Sequence, residues 1–357
     1  MTQPTEAVSG ETDTTPEVPP ADESRRIERA AAETGGGSRL TGLWRNLALI
    51  VALAILVVLG WISAPDTFMT SENIIEILRL ASVIGVVSIG MTFVITGGGI
   101  DLSVGAIVAL CTVWSTTVAT QDMAENVHWS VVIGCSVLVG MGCGLINGVF
   151  IAYGKIAPFM MTLAMFAAVR GYAELMSDRQ TQTLKVDGYT DFFRNRILGV
   201  PMLVLIFVLI AVLGWILFNR TTFGRRTVAV GGNPEAARLA GINVNLHTVL
   251  LYVLVGACCG IAAAMLLGRV GAGTSTNGNL YELDAIAAVV IGGTLLSGGR
   301  GTITGTVLGV LIFTVLQTLF IQNNFSNASQ AIAKGVIIVA AVLLQQQLAR
   351  SSRHSTT

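Results

Sequence analysis

Long apolar runs separated by short polar segments organise this chain. Ten such blocks can be delimited, at about 44–63, 74–96, 103–120, 130–152, 157–176, 200–219, 247–268, 284–297, 302–322 and 328–346. Most approach the ~20 residues that a helix needs to cross the hydrocarbon core of a bilayer. Helices are the spanning form open to them, because lipid offers no partner to backbone N–H and C=O groups and the blocks exceed the length of a barrel strand. The pattern predicts an all-α polytopic membrane protein of about ten transmembrane helices. The eighth block is short and Gly-rich, so its ends are the least well defined.

The polar remainder divides the chain further. Residues 1–42 are rich in Glu, Thr, Ser, Pro and Gly, and such a segment cannot bury enough apolar surface to offset its ordering entropy. It reads as a disordered cytoplasmic tail, too long and too acidic for the n-region of a signal peptide, so the first block stays in the mature chain. A transmembrane domain over 43–347 follows, interrupted by a cytoplasmic loop at 220–246, and a short cytoplasmic tail at 348–357 closes the chain.

Composition narrows the function. The sequence is 53% apolar and 12% charged with a mean hydropathy of +0.72, whereas soluble domains are about a quarter charged, which excludes a soluble enzyme. The formal net charge of zero gives no reason to expect a nucleic-acid partner; the lipid bilayer is the expected surrounding. Cys111, Cys135, Cys143, Cys258 and Cys259 all lie in apolar blocks without zinc-ligand spacing and read as small packing residues. With the N-terminus inside, thirteen of the 21 Lys and Arg residues fall on the cytoplasmic side. Six, Arg179, Lys185, Arg194, Arg196, Arg269 and Lys334, fall outside, while Arg79 and Arg170 lie within blocks. Ten spans with both termini inside satisfy the positive-inside bias. Glu76, Arg79, Arg170 and Glu174 read as pairs near helix ends or as snorkelling side chains. The outer segment 177–198 is either a surface for a periplasmic partner or a solvated connector.

Glycine clusters inside the spans, as at Gly134, Gly140, Gly142, Gly144 and Gly148, where small residues let helix backbones approach closely. A short echo relates TGGGIDLSVGAIVAL (96–110) to LSGGRGTITGTVLGV (296–310), aligning Gly98, Gly99 and Gly105 with Gly298, Gly299 and Gly305. Glycine runs at two apolar joints point to broken or re-entrant backbone in two related halves, where transporters build their pathway. Asp101, between the second and third blocks, sits where a carboxylate is costly. With the glycines before it and Ser103 after it, it is read as capping or gating the third helix rather than binding solute.

The segment between the sixth and seventh blocks, RTTFGRRTVAVGGNPEAARLAGINVNLH, carries the most information. Asn233 can cap a helix that opens on Pro234, Glu235 favours the positive end of its dipole, and Gly241 closes it. The resulting helix, Pro234 to Ala240, is too short to be stable alone in water and needs something to dock on.

Glu235, Ala236, Ala237 and Gly241 resemble the EAA-x-x-x-G motif of ATP-binding-cassette (ABC) importer permeases, without its downstream Ile-x-Leu-Pro. With AVGGNPEAARLAGI and GGGIDLSVGAIVAL, the chain from about Leu43 to its last block resembles the ribose-type permeases, a family related to branched-chain amino acid permeases. The resemblance implies a fold similar to the ten-helix type II importers and a bacterial inner-membrane location. It also implies an assembly of two permease copies, a homodimer in the simplest case, with a cytoplasmic ATPase subunit and a periplasmic solute-binding protein. ATPase coupling would run through Asn233, Pro234, Glu235, Ala236, Ala237, Arg238 and Gly241. The gating or capping set is Gly98, Gly99, Asp101, Ser103, Gly298 and Gly299, and the candidate pathway residues are Thr92, Thr96, Asn147, Thr162 and Thr294.

The chain itself is expected to bind no cofactor, ATP being used by the partner subunit. Leu296–Gly299 spell LSGG, yet no G-x-x-x-x-G-K-[ST] phosphate cradle occurs. His128, His247 and His354 form neither a metal nor a triad pattern. An ion-coupled secondary carrier is the rival reading, and it would call for more ionisable groups near the bilayer centre. A membrane-embedded enzyme lacks paired carboxylates or a nucleophile arrangement. A monosaccharide such as ribose fits helices rich in Gly, Ser, Thr and Asn; a nucleoside or a branched-chain amino acid remains open.

Overall fold

A computed structural model describes residues Asn46–His354, so the tail predicted at 1–42 lies outside the described residues. The chain runs through α1 (Asn46–Ser63), α2 (Pro65–Phe68), α3 (Ser71–Thr96), α4 (Val104–Ser115), α5 (Val118–Asn126), α6 (Ser130–Ala152) and α7 (Pro158–Ser177). Next come β1 (Gln182–Thr183), α8 (Tyr189–Arg194), β2 (Arg196–Ile197), β3 (Val200–Pro201), α9 (Met202–Arg220), α10 (Thr222–Gly232) and α11 (Pro234–Leu239). It ends with α12 (Val244–Val270), β4 (Ala272–Gly273), α13 (Tyr281–Ile291), α14 (Ile303–Gln322) and α15 (Asn327–His354).

Every predicted block falls on a helix, but the count of about ten spans needs correction. Among the described residues seven helices, α1, α3, α6, α7, α9, α12 and α14, are long and apolar enough to cross a membrane, or eight if α4 and α5 are one span bent by 60°. The third block breaks at Thr116–Thr117. The eighth overlaps only α13, a helix of 11 residues that begins before the block, is preceded by non-helical backbone from Gly271 to Leu280 and is ended by Gly292 and Gly293. Hydrophobic run length measures how much chain avoids water, not whether the helix is continuous. In α15 the apolar stretch is Ala328–Ala340, and the helix continues past the predicted end of the last block.

The termini of these helices follow local chemistry. Thr70 Oγ1 accepts from Asn73 N at the start of α3, Asn243 Oδ1 accepts from Leu246 N at the start of α12, and Thr302 Oγ1 accepts from Gly305 N at the start of α14. Gly271, with φ +76°, ends α12.

The core lies where α3, α4, α6 and α12 meet, around Phe93, Ile107, Tyr252 and Met265, all buried. Close approach of α6 and α12 depends on small residues. A Cβ on Gly140 would lie 2.2 Å from Gly256 O, one on Gly144 2.1 Å from Tyr252 O, and one on Gly148 2.7 Å from Val249 Cα. Gly134 and Gly142, also expected at helix contacts, have nothing within 4 Å on that side. Their faces are turned away from α12.

At the end of the bundle opposite the α10–α11 loop, β1 pairs antiparallel with β4, and α8 lies on α12. Phe193 packs where Gly268 has no side chain, and Tyr189 OH donates to Ala264 O at 2.9 Å. The segment read as partner surface or loose connector is thus an ordered cap on its own bundle. Burial holds the Tyr189 phenol in its neutral form by pushing its pKa upward.

Candidate functional site

Three glycine-bearing segments that are distant in sequence converge at one end of the bundle. Gly299 N donates to Thr96 O at 2.8 Å, joining the end of α3 to the loop between α13 and α14. The end of α10 presses on both: a Cβ on Gly231 would lie 1.8 Å from Thr96 O and 2.7 Å from Gly299 N. Gly98 and Gly298 both have φ above +80°, and a Cβ on Gly298 would lie 3.0 Å from Gly98 Cα. The two halves of the sequence echo therefore touch each other, with α10 wedged against the contact.

Asp101 and Ser103 lie in the short non-helical stretch that leads into α4. Asp101 is fully buried, and its Oδ1 accepts from Ser103 N at 2.8 Å and from Ser103 Oγ at 2.5 Å. Asn147 Nδ2 donates to the same Ser103 Oγ at 3.0 Å, linking α6 to the entry of α4. The carboxylate so closes an Asx turn on the residue before α4 instead of reaching the first helical N–H groups. Ser103, the N-cap position, makes no side-chain cap bond of its own.

The five threonine and asparagine residues read as pathway candidates are buried in this protomer. Thr92 Oγ1 and Thr306 Oγ1 are 2.7 Å apart, which ties α3 to α14. Thr162 Oγ1 donates to Pro158 O at 2.9 Å, within its own helix. Thr96 and Thr294 flank Gly301, where a Cβ would lie 2.1 Å from Thr96 Oγ1 and 3.2 Å from Thr294 Oγ1. Thr92 and Asn147 thus join separate elements. The cleft near the junction is lined instead by Gly98, Gly99, Pro234, Thr248, Leu251 and Tyr252.

The α10–α11 loop carries the exposed face of this site. Asn233 Oδ1 accepts from Ala236 N at 3.0 Å, and Pro234 occupies the first helical position, as the sequence indicates. At the other end Gly241, φ +81°, donates to Arg238 O while Ile242 N donates to Ala237 O, both at 3.0 Å, which is a Schellman closure. Glu235 and Arg238 pair at 2.5 Å in solvent. One residue differs from expectation: Ala237 is buried against its own chain, so Ala236 and Leu239, 87% exposed, face outward. The helix α10 was not foreseen. Its buried residues Gly224, Thr227 and Val230 recur every three positions, a pattern that Arg225 and Arg226 between them obscure. Thr227 Oγ1 and His247 Nε2 are 2.9 Å apart, which anchors α10 to the start of α12.

Sequence reading also missed a set of buried charges. Glu282 and Asp284 on α13 are buried, and Lys334 of α15, placed by its sequence position at the outer surface, is buried with its Nζ 3.0 Å from Asp284 Oδ2. Their partners lie tens of residues away, so spacing carries no trace of the pairing. The residues read as pairing near helix ends do so in part. Glu76 pairs with Arg79 and Arg269, and Glu174 pairs with Arg179, whereas Arg170 donates to backbone carbonyls.

Comparison with known proteins places this architecture. Residues 73–342 match the family described as branched-chain amino acid transport system / permease component. The chain is 41% identical over 308 residues to the ribose import permease protein RbsC of Bacillus subtilis (strain 168), covering 86% of this chain and 94% of that protein. It is 35% identical over 302 residues to RbsC of Escherichia coli (strain K12), covering 84% and 92%. Against the galactose/methyl galactoside import permease protein MglC of Escherichia coli (strain K12) it is 36% identical over 323 residues, covering 86% and 95%. No solved structure matches the chain. A bundle of membrane-length helices with broken segments at glycine joints, together with these matches, shows that the chain is a multi-pass membrane protein that belongs to the branched-chain amino acid transport system permease family, in the branch of its ribose-type ABC permeases.

Proposed function

We propose that this chain is the membrane-spanning subunit of an ATP-driven importer that carries a monosaccharide such as ribose or galactose across a bacterial inner membrane. The observation that carries the proposal is the wedge of α10 against the glycine junction, with α11 exposed directly after it. A force applied to α11 by a partner is transmitted through one short helix to the backbone contact between Thr96 and Gly299. An ion-driven carrier has no use for such a lever.

The remaining parts of the reading follow from this. The end bearing α10 and α11 also carries Lys155, Arg220, Arg225, Arg226, Arg238 and Arg300, and this excess of positive charge supports a cytoplasmic position for it, with both termini on that side. A cytoplasmic ATPase subunit docks on the face of α11 formed by Ala236 and Leu239 and supplies the hydrolysis; this chain holds no ATP. The opposite end, where Trp129, Phe192 and Arg194 border a shallow depression, receives a periplasmic solute-binding protein. A second copy of the permease completes the pathway. The sugar preference rests on the ribose and galactose import permeases among the relatives.

The test is Leu239→Asp. It alters an exposed tip residue, so the permease should reach the membrane in normal amount while the ATPase subunit no longer co-purifies and uptake is lost. Full retention of the ATPase and of uptake would remove α11 as the docking element. Enlarging Ala237 is the wrong probe, because its side chain packs inward.

A further inference from the structure

The backbone between α12 and α13 enters the bundle without helical structure. Gly273 presses on α4, where a Cβ would lie 2.5 Å from Thr112 O, and Asn277 Nδ2 donates to Thr112 Oγ1 at 3.2 Å. Deeper in, a Cβ on Gly278 would lie 2.8 Å from Gly105 O. Irregular backbone at membrane depth is tolerated where it is buried in protein or lines a polar cavity, and broken helices of transporters hold their solute sites.

Two charged groups flank this segment. Arg170 of α7 donates from Nη1 to the carbonyl oxygens of Ser275 and Asn277, the latter at 3.2 Å, while its Nη2 is buried without a hydrogen-bond partner. Glu282, in the first turn of α13, is 8% exposed, and its Oε2 is likewise buried without a partner. That oxygen occupies the space over Gly105, where a Cβ would come within 2.4 Å of it. Arg170 and Glu282 interact electrostatically, yet they form no ion pair. Direct pairing is available in this region and is used two residues further along α13: Lys334 Nζ lies 2.7 Å from Asp284 Oδ1. Buried polar atoms are ordinarily hydrogen-bonded, and an idle donor and an idle acceptor on opposite charges call for a third group.

We propose that Arg170 and Glu282 form a hydroxyl-binding pair in the solute pathway, Arg170 Nη2 donating to, and Glu282 Oε2 accepting from, hydroxyl groups of the transported sugar. The inference rests on the monosaccharide reading above. A neutral polyol offers a donor and an acceptor on each hydroxyl, so it satisfies both groups at once. An anionic solute would be repelled by Glu282 and a cationic one by Arg170. Gly105 supplies the room that the carboxylate occupies, which gives α4 a glycine at the aligned position of the echo for a reason separate from backbone bending.

The test uses the whole transporter, with its ATPase and binding protein, in proteoliposomes. ATP-driven uptake of D-ribose and D-galactose is compared with that of their monodeoxy analogues, at equal permease levels. The binding protein is the same throughout, so its own preference cancels when wild type and permease variants are compared. Arg170→Gln and Glu282→Gln should each compress the preference for the full sugar over at least one analogue by about ten- to a hundredfold, the worth of a hydrogen bond to a charged group. A structural role alone would lower uptake of sugar and analogue equally and leave the ratio fixed, and that result overturns the proposal. If the glutamine variants fail to reach the membrane, Arg170→Lys and Glu282→Asp keep the charges but change their reach. Unaltered ratios there have the same meaning. A wild-type transporter that takes up no monosaccharide would refute the underlying reading, and this inference with it, whereas wild-type uptake with fixed ratios removes this inference alone.

Discussion

Gly231→Ala is the smallest change that probes the glycine junction. The new methyl group would be built 1.8 Å from Thr96 O, some 1.6 Å short of the 3.4 Å at which ordinary van der Waals contact begins. Both neighbours are backbone atoms, so no flexible side chain can move aside; α10 must shift as a unit. Overpacking of this kind costs ~1–3 kcal/mol. Displacing the Gly299 N–H from Thr96 O adds ~0.5–1.5 kcal/mol for the lost hydrogen bond. A total of ~1.5–4.5 kcal/mol disfavours the closed junction by about 10- to 2,000-fold relative to any arrangement in which α10 has moved away. The assay measures ATP hydrolysis and sugar uptake in proteoliposomes containing the assembled transporter. Hydrolysis should persist and uptake per ATP fall at least tenfold, because the junction no longer follows α11. Gly232→Ala, whose Cβ would meet only Gly299 Cα at 3.9 Å, is the matched control and should behave as wild type. Equal coupling in Gly231→Ala and Gly232→Ala would refute the idea that the junction is tight and mechanically engaged.

Two further substitutions test the frame around the junction. Gly256→Leu places a side chain where Gly140 O already lies 2.2 Å from a Cβ, so the permease should be lost from the membrane fraction, whereas Gly142→Leu, with nothing within 4 Å, should accumulate normally; immunoblotting of membranes decides. Asp101→Asn retains an oxygen that accepts from Ser103 N and Oγ and should keep most uptake, while Asp101→Leu leaves both donors unsatisfied at ~1–3 kcal/mol each and should lower uptake and thermal stability together. Equal and complete loss in both Asp101 variants would show that the charge itself is required.

Much of the architecture was legible because lipid imposes one rule on every spanning segment. The apolar blocks located every long helix, and Asn233, Pro234 and Gly241 fixed the ends of α11 to within a residue, since caps depend on local chemistry alone. Interruption was less legible. Thr116 and Thr117 bend a span without breaking its apolar run, and the stretch from Gly271 to Leu280 lies between blocks as any surface loop would, although it is packed on α4. The echo of Gly98 and Gly99 with Gly298 and Gly299 announced two related joints but not that they touch, because contact across about two hundred residues leaves no local signature. Thr92 and Asn147 show the converse: polarity inside a span marks them as notable, and bonding from one helix to another element explains it equally well. Lys334 misled by position, since its place along the chain assigned it to the outer surface, whereas it is buried against Asp284.

In the proposed function this chain carries a monosaccharide at the expense of ATP hydrolysed by a partner. The most direct measurement of this is uptake of labelled D-ribose and D-galactose into proteoliposomes containing the permease, its ATPase subunit and its binding protein, with and without ATP and with ion gradients collapsed. Uptake of at least one sugar that requires ATP and the binding protein and is unaffected by ionophores is the predicted result. Uptake that proceeds without ATP and vanishes when a proton or sodium gradient is dissipated would contradict the account.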